Sequence, residues 1–148
     1  MCAFRASKVA LAALPYPNPT TDVRSIGTAR CTANWGRCGA VVKVQGELDA
    51  ANTGQMTEYV QHCAAECEWL VLDLEEVTFI GTDGFSALKM IGKQCASDAI
   101  YCTTVPGRAV RRLLQICDTA GSVSTTTSLT EALADAQDLP WPQARARL

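Results

Sequence analysis

Val71-Leu72-Asp73-Leu74-Glu75-Glu76-Val77-Thr78-Phe79-Ile80-Gly81-Thr82-Asp83-Gly84-Phe85-Ser86-Ala87-Leu88 passes from the period of a strand to the period of a helix. Val71, Leu72 and Leu74 are apolar in close succession, and Phe79 and Ile80 lead into Thr82. Phe85, Leu88 and Ile91 then recur at helical spacing. The stretch therefore reads as a buried strand that delivers a hydroxyl to the entrance of a helix. Two roles are open to such a hydroxyl. It can cap the helix by accepting a backbone N–H bond, which contributes about 1 kcal/mol. It can instead accept a phosphate, because a dianion at the positive end of a helix dipole is tolerated by the fold and presented to whatever docks there.

Working outward, Trp69 to Leu74 is almost continuously apolar, as in a strand buried on both faces of a parallel sheet. Upstream, the segment from Asn52 to Cys67 carries Met56, Val60, Cys63 and Ala64 at helical intervals, with Asn52 or Thr53 available as the cap. Before it, Ala40 to Gly46 reads as a β-branched strand. Ile26 to Thr32 reads as a preceding strand, joined to it through a turn over Asn34-Trp35-Gly36-Arg37-Cys38-Gly39. A helix between two such strands makes a βαβ unit and places the chain in the α/β class. Downstream, the spacing predicts a helix over Asp83–Cys95, a strand over Ala99–Thr104 and a helix over Arg108–Cys117 opened by Pro106-Gly107. A short strand over Ser122–Thr125 follows, and then a last helix with Ser128 as cap and Glu131 three residues on. One domain over residues 26–138 is expected, between a flexible tail at 1–25, with its Pro15–Pro19 cluster, and a C-terminal tail at 139–148.

With 148 residues and 48% hydrophobic content the chain encloses one ordinary core. Thirteen basic and fifteen acidic residues leave a net charge of −2, and only Arg108, Arg111 and Arg112 cluster, as the solvated side of a helix. This is not the basic face that nucleic acid requires. The apolar run Val9–Leu14 is far short of the roughly 20 residues a membrane-spanning helix needs. Behind Arg5 and Lys8 it resembles the start of a signal peptide, but Pro15 follows at once. Of the eight cysteines, Cys63, Cys95 and Cys117 fall in apolar periodic segments, where reduced thiols behave as small hydrophobes. Cytoplasmic residence is the expectation.

Catalytic chemistry finds little support. The single histidine, His62, excludes a Ser/His/Asp triad and His-rich metal sites, and its neighbour Cys63 points about 100° away on the same helix. Cys63 and Cys67 share a helix face, but two ligands make no zinc site and no CxxC occurs. Neither GxGxxG nor GxxxxGK[ST] is present. No enzyme, no metal and no cofactor are expected. Cys31 and Cys38, flanking the expected turn, would approach each other in a well-registered hairpin and form a redox-sensitive pair.

Gly46-Glu47-Leu48-Asp49, the segment Leu72–Ile80, and Gly84-Phe85 after Thr82 together resemble the STAS domain of anti-sigma factor antagonists, also called anti-anti-sigma factors. That family carries Gly-Glu-Leu-Asp after its second strand, an apolar strand with an acidic turn, and Asp-Ser-Ser-Gly-Leu at a switch helix. Pro106-Gly107-Arg108-Ala109-Val110-Arg111-Arg112-Leu113-Leu114 resembles the entry to its third helix, and the likeness runs from about residue 26 to 138. The resemblance implies a mixed four- to five-stranded sheet with about four packed helices. It also implies a regulatory module, monomeric or weakly dimeric, that binds an anti-sigma factor of the serine/threonine kinase type and so frees a sigma factor. By position, Thr82 falls on the phosphoacceptor, and Asp49, Asn52, Gly81, Asp83, Gly84 and Phe85 fall on the partner-binding set. The chain departs from the pattern at Gly81, where the family has aspartate, and at Asp83, where it has a second serine. A carboxylate beside the hydroxyl either opposes phosphorylation by repulsion or imitates part of the phosphate charge. The alternative is a STAS module that senses redox state or a small ligand, with Thr82 only a helix cap.

Overall fold

The computed structural model of the chain describes residues 21–137. Five strands lie side by side in chain order: β1 (Thr21–Ile26), β2 (Ala29–Gly36), β3 (Gly39–Leu48), β4 (Trp69–Ile80) and β5 (Tyr101–Pro106). Antiparallel pairing joins β1 to β2 and β2 to β3, while β4 is parallel to both β3 and β5. Four helices, α1 (Thr53–Ala64), α2 (Thr82–Ser97), α3 (Arg108–Cys117) and α4 (Leu129–Gln137), complete the described elements. The expected α/β class, mixed sheet and helix number are all observed.

β4 explains the layering. Every residue from Trp69 to Leu74 is buried, because one face turns Leu70, Leu72 and Leu74 into the main core while the other turns Trp69 and Val71 into a second core. The main core takes Met56, Val60 and Cys63 from α1, Leu88 and Ile91 from α2 and Val110 from α3. The second takes Ala132 and Ala136 from α4. A strand covered on both faces has no polar side to show, which is why its first half reads as an apolar run broken only by Asp73.

Several boundaries differ from the sequence reading. Residues 21–25, expected in the tail, belong to β1, an edge strand of composition Thr-Asp-Val-Arg-Ser-Ile in which Asp22 to Ser25 are exposed and Ile26 is buried. Such a strand has too little apolar alternation to announce itself. What read as one strand over 26–32 is broken at Gly27-Thr28, where Gly27 takes φ +61° and turns the chain into β2. The hairpin turn between β2 and β3 is only Arg37-Cys38, so Asn34, Trp35 and Gly36 are strand. Glu75 and Glu76 lie within β4, at a register shift where Lys43 pairs with Asp73 but Gln45 with Glu76. Finally, the short strand at 122–125 is a single bridge from Thr104 to Thr125. The expected tails at 1–20 and 139–148 lie outside the described residues.

A candidate docking corner at the start of α2

The corner is built where β3 and β4 end on the same edge. The Gly81 N–H donates to the Leu48 carbonyl at 3.0 Å, fixing the entrance of α2 beside the loop that carries Asp49. Gly81, with extended backbone (φ −90°, ψ 179°), occupies the cap position and brings no side chain to it, so Thr82 is the first residue of the helix. The Thr82 side chain is exposed, and its hydroxyl has no hydrogen-bond partner among the described residues. The reading of Thr82 as a helix cap is therefore corrected. An uncapped hydroxyl on the first turn stands among N–H groups that point at an approaching anion. Asp83 is exposed in the same turn.

Gly84 is buried, and a Cβ there would overlap the Ile80 side chain, so the glycine lets the first turn of α2 sit directly on the end of β4. Phe85 is half-buried, with the Lys89 ammonium 5.4 Å from its ring centroid. Phe79, which the sequence reading did not single out, is 53% exposed one strand position before Ile80. Its signal was present: Val77 and Ile80 are buried while Thr78 and Phe79 face out, a departure from strict alternation at the end of β4.

Asp49 and Asn52 divide into two roles. Asp49 is exposed; its Oδ1 accepts the Ala51 N–H at 2.9 Å, and its carbonyl accepts the N–H groups of Asn52 and Thr53 at 3.2 and 3.0 Å. Asn52 is only 3% exposed. Its Oδ1 accepts the Asp49 N–H at 3.0 Å, while its amide nitrogen donates to the carbonyls of Glu47 at 2.8 Å and Ile26 at 3.3 Å. A side chain so enclosed offers nothing to a partner, and Asn52 is removed from the contact set. It shapes the loop that Asp49 presents.

The corner thus brings together exposed Asp49, Phe79, Thr82 and Asp83, with Gly81 and Phe85 partly open between them. It does not bring Cys31 and Cys38 together. Cys31 pairs with Val44 in mid-strand and faces the main core as a free thiol, whereas Cys38 sits at the hairpin turn in the second core. The sheet lies between them, and the expected pair is corrected. Among the described residues no cluster of three His, Cys, Asp or Glu side chains could hold a metal ion. Among them, too, no helix is long and apolar enough to cross a membrane.

The STAS domain family model matches residues 33–134 of this chain. The chain belongs to the STAS domain family. Osmosensory protein A of Mycobacterium tuberculosis is 31% identical to this STAS protein over 84 residues, which cover 57% of the chain and 53% of that relative. The chain thus spans about half the length of the curated relative it matches. An anti-sigma factor antagonist from Mycobacterium paratuberculosis shares its fold, with a TM-score of 0.59 and 22% identity over 83% of this chain and 100% of that one. SpoIIAA of Bacillus, an antagonist solved in its phosphorylated form, aligns with a TM-score of 0.53 and 12% identity over 79% and 99%. Part of the murine Slc26a9 anion transporter has the fold as well, with a TM-score of 0.60 and 15% identity over 91% of this chain and 24% of that one. The fold is common to antagonists and a transporter domain, so function must be argued from the corner.

Proposed function

We propose that this STAS domain is an anti-sigma factor antagonist, a cytoplasmic regulator of transcription that performs no catalysis of its own. It docks the corner formed by Asp49, Phe79, Gly81, Thr82, Asp83 and Phe85 onto an anti-sigma factor and so frees a sigma factor. Thr82 is the residue a partner kinase phosphorylates to end the association. One observation carries this reading: the Thr82 hydroxyl stands exposed and, among the described residues, unbonded on the first turn of α2, beside the Asp49 loop to which that helix is tied through Gly81 and Leu48. A hydroxyl kept out of the cap and offered to solvent is available to a nucleoside triphosphate. The dianion formed would meet the helix N-terminus, so the fold would tolerate it while any partner seated against Phe79 and Asp49 would meet new charge. The antagonists that share the fold, one of them solved phosphorylated, support the same reading.

The test is capture of a purified anti-sigma factor of the kinase type by the full chain, followed by addition of ATP. One phosphate is expected on the wild type, together with release of the partner, and neither on Thr82→Ala, which should bind and stay bound. Binding without phosphate transfer would leave an antagonist regulated in another way. Failure to bind any such factor, or binding that Asp49→Lys and Phe79→Ala leave unchanged, would sink the proposal.

A further inference from the structure

The two edges of the sheet differ. Beside β5, the Thr104 N–H donates to the Ser124 carbonyl and the Thr126 N–H to the Thr104 carbonyl, each at 2.9 Å, so the segment after α3 covers that edge. Along β1, at the other end of the order β1-β2-β3-β4-β5, no described residue does the same. The turn into β2 fixes which groups β1 leaves free. Only Gly27 and Thr28 separate Ile26 from Ala29, which makes those two a hydrogen-bonded pair, and alternation then turns the N–H and C=O groups of Arg24 and Asp22 toward β2 as well. Those of Thr21, Val23 and Ser25 point outward. The side chains of Asp22 and Arg24 lie on the main-core side of the sheet. There the Tyr59 hydroxyl donates to Asp22 Oδ2 at 3.0 Å, and the Arg24 guanidinium stands 5.2 Å from the Tyr59 ring centroid. Val23 lies on the opposite side and is 55% exposed.

We propose that β1 pairs antiparallel with β1 of a second copy of this chain, about a two-fold axis at Val23. An open strand edge is a template for another strand, and charges along it decide which strands it accepts. With Val23 opposite its own counterpart, the outward groups of Thr21, Val23 and Ser25 meet outward groups of the second copy, and each such pair exchanges both of its N–H···O bonds. The same register sets Asp22 opposite Arg24 of the second copy, and Arg24 opposite its Asp22. These are non-hydrogen-bonded positions, where facing Cα atoms are only about 4.5 Å apart and opposite charges favour the pairing. Sliding the copies by two residues, the smallest step that keeps the hydrogen bonds, sets Arg24 against Arg24 or Asp22 against Asp22. Charge therefore fixes the register, and it does so for a copy of the same strand. A six-residue strand makes a small interface, so the association is weak and depends on concentration. No residue of the docking corner lies in β1, so the pair carries two corners and the inference does not depend on what docks there.

Sedimentation velocity of the full-length chain over a rising concentration series at low salt should show monomer passing to dimer. Arg24→Asp makes both cross-strand pairs repulsive and should raise the dimer Kd about tenfold, whereas the double variant Asp22→Arg/Arg24→Asp restores opposite charges and should recover most of that loss. Val23→Pro removes an outward N–H that β2 does not use, a change an edge strand accommodates, and should abolish the dimer. Amide hydrogen exchange on the wild type gives an answer that needs no variant to fold: the Val23 and Ser25 N–H groups should exchange more slowly as concentration rises. A chain that stays monomeric across the series overturns the proposal. So does a dimer whose Kd is unchanged in Arg24→Asp and Val23→Pro, or exchange at Val23 and Ser25 that is independent of concentration.

Discussion

Thr82 and Asn52 look interchangeable in sequence, each a small polar residue beside the start of a helix, yet their surroundings give them opposite consequences. The Thr82 hydroxyl makes no bond among the described residues. Thr82→Ala should therefore leave the urea midpoint within the ~0.5 kcal/mol typical of surface substitutions, rather than lower stability by the ~1 kcal/mol of a lost cap. Asn52→Ala should destabilise by on the order of 3 kcal/mol. It removes the partner of the Asp49 N–H and one donor each from the Glu47 and Ile26 carbonyls around a buried void, and each unsatisfied group costs roughly 1–3 kcal/mol with incomplete additivity. A urea titration of the two variants beside wild type checks both; equal losses would mean that Thr82 is bonded after all. Asn52 was placed on the docking surface because sequence spacing sees only near neighbours. Its bond to Ile26 reaches 26 residues back along the chain, and the hairpin that brings Ile26 there depends on the inconspicuous strand β1. Thr82, by contrast, was legible as a hydroxyl at a helix entrance, and only its distance from the cap position had to be seen.

At the level of elements, legibility follows how completely an element is buried. The first half of β4 announces itself because both faces are covered. Its second half alternates poorly because a register shift lets the strand carry Glu75 and Glu76 outward while it stays paired with β3. That shift has a local anchor: the Lys43 ammonium is 2.8 Å from Glu76 Oε2, and the Gln45 amide donates to Glu76 Oε1 at 2.6 Å. The hydrogen bond from Lys43, and then that from Gln45, lowers the Glu76 pKa from its ordinary 4.5. A carboxyl whose folded pKa is depressed contributes stability above its unfolded pKa and loses it as pH falls through the folded one. Glu76 is half exposed, so the contribution should stay below ~1 kcal/mol and shrink in salt. Wild type should thus lose slightly more stability than Glu76→Gln between about pH 6 and about pH 3. Parallel slopes for the two proteins would show that the pair contributes nothing.

For the whole molecule, the order β1-β2-β3-β4-β5 with helices on both faces creates two cores whose membership is set by strand alternation, and this decides what the cysteines do. Read along the chain, Cys31 and Cys38 appear as neighbours across a turn. The two-residue turn at Arg37-Cys38 pairs Cys31 with Val44 and leaves it deep in the main core near Cys63, while Cys38 stays at the turn in the second core. Burial, the largest cause in each case, pushes both thiols from 9.0 up to about 11, and it also raises the Tyr59 phenol, whose hydroxyl donates to Asp22 Oδ2 at 3.0 Å. The sign is that of a group whose folded pKa lies above its unfolded one. Stability from keeping these groups neutral is complete below the unfolded thiol value and is lost as pH rises through the folded value, a window from 9.0 to about 11. The urea midpoint should accordingly be steady up to about pH 8 and fall steeply beyond about pH 9, with a shallower fall in Cys31→Ala and Cys63→Ala, each measured against its own neutral-pH stability. A wild-type midpoint as high at about pH 10.5 as at about pH 8 would mean that water reaches these thiols, and that the main core is open where the packing of Cys31, Tyr59 and Cys63 requires it to be closed.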